Sequence, residues 1–172
     1  DPDDVIKTLR SWIKEDRKEG ALKSIQGKIW KNAFESGKIR GHVYQDVLPN
    51  FRKWRDSNLK ICIFSSGSIE AQKLLFRYSE AGDLSQFISA YFDTTTGPKR
   101  ESTSYKKIAS ELSLPATSIL FLSDIQSELD AARNAGMQTT QLLRELVTPK
   151  NFSGHPIVNS FDEIKLSEKP SA

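Results

Sequence analysis

The chain has 172 residues, of which 37% are apolar and 27% are charged. This length suits one compact domain, or a small domain with a helical addition, and the apolar residues recur in periodic blocks that exclude general disorder. Its 25 Lys and Arg residues are interleaved with 22 Asp and Glu residues, which leaves a formal charge of only +3. Because nucleic-acid binding needs a concentrated basic face, we expect no nucleic-acid partner.

The cysteine content and the apolar runs narrow the class of protein further. A single cysteine, Cys62, excludes an internal disulfide and a cysteine-based metal cluster. No stretch approaches the ~18 consecutive apolar residues of a membrane span, and the initial Asp-Pro-Asp-Asp lacks the features of a signal peptide. We therefore expect a cytoplasmic protein with no membrane partner.

The first part of the chain, to about residue 58, has the apolar spacing of helices. The predicted apolar stripes are Val5, Leu9, Trp12 and Ile13 in a first helix, and Leu22, Ile25, Ile29 and Ala33 in a second. A third helix is predicted from Asp46, as its N-cap, through Trp54, with Pro49 in the first turn. We expect Trp12, Trp30 and Trp54 to pack on these helices rather than to stack on nucleic-acid bases.

From Lys60 the pattern changes to alternating strands and helices. Short apolar runs at 61–64 and 119–122 are typical of strands covered on both faces of a parallel sheet. The remaining predicted elements are helices at 71–78, 105–112 and 126–136, strands at 88–92, 138–143 and 156–159, and a frayed tail at 167–172. This order predicts an α/β fold with a doubly wound parallel sheet and right-handed crossovers.

Ligands of open α/β sheets bind beyond the carboxyl ends of the strands, so the residues there are the first candidates for a site. The first strong strand runs into Ser65-Ser66-Gly67-Ser68, whose hydroxyl and N–H groups suit a phosphate. The alternative is purely structural, with Ser68 as a helix N-cap and Gly67 as a turn residue.

A cation and a carboxylate follow the next two strands. Lys99 or Arg100, after Gly97-Pro98, suits a phosphate charge, although a solvated loop cation is the simpler interpretation. Asp124 follows the third strand as either a Mg²⁺ ligand or an N-cap, with Ser123 and Gln126 in a capping box. Together, hydroxyl, cation and carboxylate are the groups that metal-assisted phosphoryl transfer requires.

Other reactive residue types receive structural interpretations. His42 is expected to be a polar loop residue, His155 lies in a Ser-Gly-His-Pro turn without a functional signal, and Cys62 is expected to belong to the core.

The ordered motifs resemble the enolase-phosphatase (acireductone synthase) family of the haloacid dehalogenase superfamily. The resemblance covers roughly Leu22 to Arg144 and is most specific in Ser65-Ser66-Gly67-Ser68-Ile69-Glu70-Ala71-Gln72-Lys73-Leu74-Leu75-Phe76. Further matches are Gly41-His42-Val43-Tyr44, Tyr91-Phe92-Asp93-Thr94, Glu101-Ser102 with Ser104-Tyr105, and Leu122-Ser123-Asp124 with Glu128-Leu129-Asp130. It implies a haloacid dehalogenase-like core carrying part of a helical cap domain.

The resemblance also implies a set of roles. Ser65 and Ser66 are expected to hold the substrate phosphate, Lys99 to neutralise it and Asp124 to bind Mg²⁺. Family enzymes convert 2,3-diketo-5-methylthiopentyl 1-phosphate to an acireductone in methionine salvage through a phosphoaspartyl intermediate. A small phosphorylated diketone is therefore the expected substrate, and a monomer is the expected state of the complete protein.

One family motif is missing from the sequence. In the family, the nucleophile lies in an Asp-x-Glu-Gly-Thr-Thr motif that follows the first strand. That strand occupies the middle of the family's sheet, between the strands that end here at Ser65 and Asp124. This chain contains no such motif. We expect a fragment that is inactive alone, with a cap portion at 1–45, a core without its first strand at 46–165 and a flexible tail at 166–172. The alternatives are an inactive phosphate-binding relative that serves as a partner or regulatory subunit, half of a two-chain site, or a receiver-type signalling domain.

Overall fold

The structure, a computed structural model, describes residues 20–144 and 154–166 together with residues 4, 6–8 and 11. Its helices are α1 (Gly20–Glu35), α2 (Val47–Asp56), α3 (Ile69–Arg77), α4 (Ser102–Glu111) and α5 (Gln126–Asn134). Its strands are β1 (Ile61–Phe64), β2 (Ile88–Phe92), β3 (Leu120–Ser123), β4 (Gln138–Leu142) and β5 (Ile157–Val158). None of the described helices combines the length and apolar character that crossing a bilayer requires.

All the strand pairs between these elements are parallel, which confirms the predicted α/β class. Strand β1 pairs with β2, while β4 lies between β3 and β5 in a second group. The two groups are separate: within the described residues, neither β1 nor β3 pairs with a strand on its other side. Because the pairing is parallel, the carboxyl ends of β1 and β2 lie at the same end of the first group, and those of β3 and β4 lie at the same end of the second group.

The chain divides into two compact units, and the first comprises residues 1–42 and 70–85. In this unit Gly41 forms a bridge with Ser79, and a side chain at residue 41 would overlap the backbone carbonyl of Leu75. Only glycine therefore allows this close approach. The ring of Phe34 is buried and stacks on Tyr78 at 6.1 Å.

The predicted stripe of α1 is only partly buried. Ile29 and Trp30 are 61% and 53% exposed, although Trp30 lies 6.1 Å from the ring of Phe34. Trp30 thus packs against a neighbouring ring, as predicted, but only in part, and Ile29 of the predicted stripe is left exposed among the described residues. The stripe from Val5 to Ile13, including Trp12, lies outside the described residues, as does the tail at 167–172.

The second unit comprises residues 43–69 and 86–172 and contains the larger core. Helices α4 and α5 provide most of it, and its buried members are Phe92, Tyr105, Ile108, Ala109, Ala131, Ala132 and Met137. Cys62 packs against this cluster, as predicted. A second cluster, which joins α2 to the turns before β2 and after β5, consists of Phe51, Trp54, Phe87 and Phe161.

Two local predictions about the second unit need correction. The residues of β3 and most of β1 are only half-buried rather than covered on both faces. The cause is that one lateral edge of each strand has no described neighbour. Asp46 does not cap α2 with its side chain, because its carboxylate accepts hydrogen bonds from Arg144, Ser160 and the Phe161 N–H instead.

The division of the chain into a cap at 1–45, a core at 46–165 and a tail at 166–172 stays a prediction.

Candidate functional site

The candidate site lies at the carboxyl ends of β1, β2 and β3, all within the second unit. Ser65 continues β1 and donates its N–H to the Phe92 carbonyl of β2 at 3.1 Å. The ammonium group of Lys99, which follows β2, lies 5.8 Å from the ring of Phe64 at the end of β1. The structure therefore brings the predicted cation close to the end of the strand that leads into the predicted phosphate loop.

The predicted phosphate loop, Ser65 to Ser68, is held from two sides. The Gly67 N–H donates to the Ser65 hydroxyl oxygen at 3.1 Å. Across the loop, the N–H of Ile69 at the start of α3 donates to the Asp93 carboxylate at 3.2 Å. The other oxygen of Asp93 accepts from the N–H and hydroxyl of Thr95, at 2.9 and 2.6 Å. Asp93 is thus a buried anchor that joins the ends of β1 and β2.

Lys99 forms an ion pair that the sequence analysis missed. Its Nζ lies 2.6 Å from Oε2 of Glu128, and the two side chains are only 23% and 11% exposed. The same Glu128 oxygen accepts a hydrogen bond from the Ser123 hydroxyl at 2.9 Å. Glu128 lies on α5, five residues after Ser123, so one carboxylate connects the cation to the end of β3. Arg100, the alternative cation, is exposed.

The backbone around Lys99 is fixed by the first turn of α4. The hydroxyl of Tyr105 donates to the Lys99 carbonyl at 2.6 Å, and that of Ser104 donates to the Pro98 carbonyl at 2.7 Å. Both residues are essentially inaccessible to solvent. Gly97 has φ +146°, a conformation that favours glycine, and a side chain there would overlap Ser104 Oγ.

Asp124 is the exposed residue directly after β3, and its carboxylate has no hydrogen-bond or ion-pair partner among the described residues. It is not the N-cap of α5, because Ile125 occupies that position. The capping box of Ser123 and Gln126 is also wrong: Ser123 Oγ accepts from the Ile125 N–H and donates to Glu128. The backbone carbonyl of Asp124 accepts from the Gln141 side-chain amide at 3.1 Å.

Among the candidate residues, the carboxylate of Asp124 is the group that suits a magnesium ion. Asp124 follows β3 with a carboxylate that no described residue pairs with, and Mg²⁺ typically takes one or two carboxylates with phosphate oxygens and water. Within the described part of the chain, no group of three or more His, Cys, Asp or Glu side chains could enclose a metal ion.

The remaining candidates take structural roles or lie at the surface. His155 is buried, with Nδ1 at 2.8 Å from Thr139 Oγ1 and Nε2 at 3.1 Å from the Asp130 carboxylate, so it tethers the turn before β5 to α5. His42 is exposed. Burial has the largest influence on the pKa of the Cys62 thiol and raises it, so Cys62 lacks the character of a reactive thiolate.

Comparison with known proteins points to one family. Residues 5–136 match the family model described as a haloacid dehalogenase-like hydrolase. Enolase-phosphatase E1 of Sorangium cellulosum is 52% identical over 94% of this chain and 69% of that protein. Enolase-phosphatase E1 of Pseudomonas aeruginosa (strain LESB58) is 52% identical over 95% of this chain and 72% of that protein.

Solved structures agree with these matches. The crystal structure of the UTR4 protein from Saccharomyces cerevisiae has a TM-score of 0.86 and 32% sequence identity, covering 95% of this chain and 76% of that chain. A dehalogenase in an intermediate complex, with a TM-score of 0.61 and 20% identity over 70% of this chain and 54% of its own, is similar in fold alone.

Proposed function

Because the chain belongs to the enolase-phosphatase family of haloacid dehalogenase-like hydrolases, we propose that the site at the ends of β1, β2 and β3 binds the phosphate of 2,3-diketo-5-methylthiopentyl 1-phosphate. The reaction removes this phosphate and enolises the diketone to an acireductone, a step of methionine salvage. The observation that carries the proposal is the half-buried Lys99, held by Glu128 beside the loop of Ser65. We propose that the complete protein acts as a monomer.

The phosphate is bound by donors of the loop and by the cation. Ser65 Oγ already accepts from the Gly67 N–H, so its own proton is available for a phosphate oxygen. Ser66, which is exposed in the same loop, offers a second hydroxyl. Lys99 carries three N–H donors, of which Glu128 needs one, and the others can neutralise phosphate charge in a partly desolvated place.

Phosphatases of this superfamily generally use Mg²⁺, and Asp124 is the residue that we propose as a ligand. A magnesium ion held by Asp124 would supply positive charge that neutralises the phosphate oxygens.

The attacking carboxylate is the part that the described residues do not supply. Asp93 ends β2, but both of its oxygens accept hydrogen bonds from the protein, so it serves as an anchor rather than a nucleophile. Among the residues that the structure describes, one edge each of β1 and β3 has backbone N–H and C=O groups without strand partners. We propose that a strand carrying the family's Asp-x-Glu-Gly-Thr-Thr motif fills this place and that the present chain alone is inactive.

Binding of inorganic phosphate in the presence of Mg²⁺ tests the assignment of the site. We expect Lys99→Ala to weaken phosphate binding by roughly tenfold or more, because a charge-assisted hydrogen bond contributes about 1.5–3 kcal/mol. Asp124→Asn should remove the dependence of phosphate affinity on Mg²⁺. Isothermal calorimetry with and without Mg²⁺ measures both effects.

The matched controls are Arg100→Ala, which removes the neighbouring exposed cation, and Asp56→Asn, which removes an exposed carboxylate of α2. Both should leave phosphate affinity within about twofold. If Lys99→Ala and Arg100→Ala lowered phosphate affinity equally, the assignment of Lys99 to the phosphate site would be wrong. Appreciable turnover of the phosphorylated diketone by the chain alone would refute the argument about the nucleophile, whereas turnover after joining the missing motif supports it.

The lack of a nucleophile among the described residues also favours a second candidate. A non-catalytic relative that retains the phosphate pocket, and serves as a partner or regulatory subunit, would bind phosphate through Lys99 and remain inactive after the motif is joined.

A further inference from the structure

Tyr105 lies at a junction of the elements that form the site. It is completely buried, and its ring contacts Phe64 of β1 edge-on at 5.6 Å and Phe121 of β3 at 4.9 Å. Its hydroxyl donates to the carbonyl of Lys99 at 2.6 Å. One side chain therefore contacts the strand before Ser65, the strand before Asp124 and the backbone of the proposed phosphate cation.

No strand pairing connects β1 to β3 within the described residues, so side chains must provide the link between these two strands. Phe64 directly precedes Ser65, and Phe121 lies two residues before Ser123. We propose that Tyr105 is a positioning residue that fixes Lys99 relative to both strand ends, and this inference rests on the proposed phosphate site.

The hydroxyl and the ring of Tyr105 have separable tasks. The ring packs between two aromatic side chains in the core, a role that phenylalanine would also fill. Only the hydroxyl reaches the Lys99 carbonyl. Burial first, and the charge of Glu128 second, raise the pKa of Tyr105 far above its ordinary value, so the phenol keeps its proton and remains a donor.

Lys99 is thus held at two points. Glu128 accepts from the ammonium group, while Tyr105 fixes the backbone from which the side chain extends. A long lysine side chain has several rotatable bonds, and fixing both ends lowers the entropy that phosphate binding must remove. Loss of the backbone anchor should therefore weaken the ion pair and the phosphate contact together.

Tyr105→Phe tests the hydroxyl alone. We expect about fivefold weaker binding of inorganic phosphate by calorimetry, because one hydrogen bond that positions the cation is lost. The second measurement is the ¹⁵N resonance of the Lys99 ammonium, assigned by its disappearance in Lys99→Met. We expect this signal to broaden through faster proton exchange in Tyr105→Phe, with or without phosphate.

Ser118→Ala is the matched control, because the Ser118 hydroxyl also donates to a backbone carbonyl, that of Pro115, in the turn before β3. It should change neither the phosphate affinity nor the Lys99 signal. A Tyr105→Phe variant that loses thermal stability but keeps the Lys99 signal unchanged would show a merely structural role and overturn the inference. Absence of phosphate binding by the unmodified chain would count against the proposed function instead, while the Lys99 signal would still decide the role of Tyr105.

Discussion

Replacing Glu128 by glutamine should destabilise the second unit and release Lys99. The two groups lie 2.6 Å apart, which corresponds to an attraction of ~6 kcal/mol at an effective dielectric constant of about 20. Desolvation of both groups offsets most of this attraction. Because Glu128→Gln leaves the ammonium without its carboxylate, we expect a loss of ~2–3 kcal/mol in the free energy of unfolding, or about 4–12 °C in Tm.

Urea unfolding of Glu128→Gln, Lys99→Met and the double variant measures the coupling between the two side chains. The double variant should be less destabilised than the sum of the two single variants by about 1 kcal/mol or more. Glu111→Gln, an exposed position at the end of α4, serves as the control and should change stability by less than about 0.5 kcal/mol. Additive losses in the double variant would show that the ion pair contributes nothing, and the proposed support of Lys99 by Glu128 would be wrong.

Two further substitutions test the loop before Lys99 and the acid side of the stability profile. Gly97→Ala forces a strained φ and an overlap with Ser104, so it should lower the free energy of unfolding by ~2 kcal/mol or more in thermal unfolding and weaken phosphate binding. Unchanged stability and phosphate affinity would refute the geometry of this loop. Burial tends to raise the pKa of Asp46, but the hydrogen bonds from Arg144, the Phe161 N–H and Ser160 and the charge of Arg144 outweigh it and lower the pKa. Its stabilisation is thus complete above the unfolded-state pKa of ~3.9 and is lost as the pH falls through the lower folded-state value. Urea unfolding should therefore find Asp46→Asn less stable than the unmodified chain by ~1–3 kcal/mol at pH 7, with a difference that shrinks steadily as the pH falls below ~3.9.

The sequence predicted the strands of the core and the residues at their ends because both depend on local patterns. The short apolar run at 61–64 and the weaker one at 88–92 became β1 and β2 with the predicted bounds. Ser65, Lys99 and Asp124 follow successive strands, and parallel pairing places such residues at the carboxyl edge of a sheet. The roles of these residues in phosphate and Mg²⁺ binding stay predictions.

The residues that hold the site could not be read from local patterns, because they act across the sequence. Glu128 appeared as one polar residue of a helix, and its contact with Lys99 spans 29 positions of the chain. Asp46 had the residue type and position of a helix N-cap, but Arg144 offered its carboxylate a charged donor, and a bond between two charged groups is stronger than one from a neutral backbone N–H. Such competition between local and distant partners is decided only in the folded chain.

The chemistry at the edge of the sheet explains why the strand that we propose between β1 and β3 and the proposed attacking carboxylate would belong together. A carboxylate that attacks phosphorus must keep an oxygen free of strong donors, whereas Asp93 has both oxygens engaged within the β2 loop and with α3. A strand paired with the free edges of β1 and β3 would satisfy their backbone groups and end between Ser65 and Asp124. Tyr105 contacts both β1 and β3 through Phe64 and Phe121, and a carboxylate at the end of that strand would meet the phosphate that we propose Lys99 holds. The same insertion would thus complete the sheet and supply the attacking group.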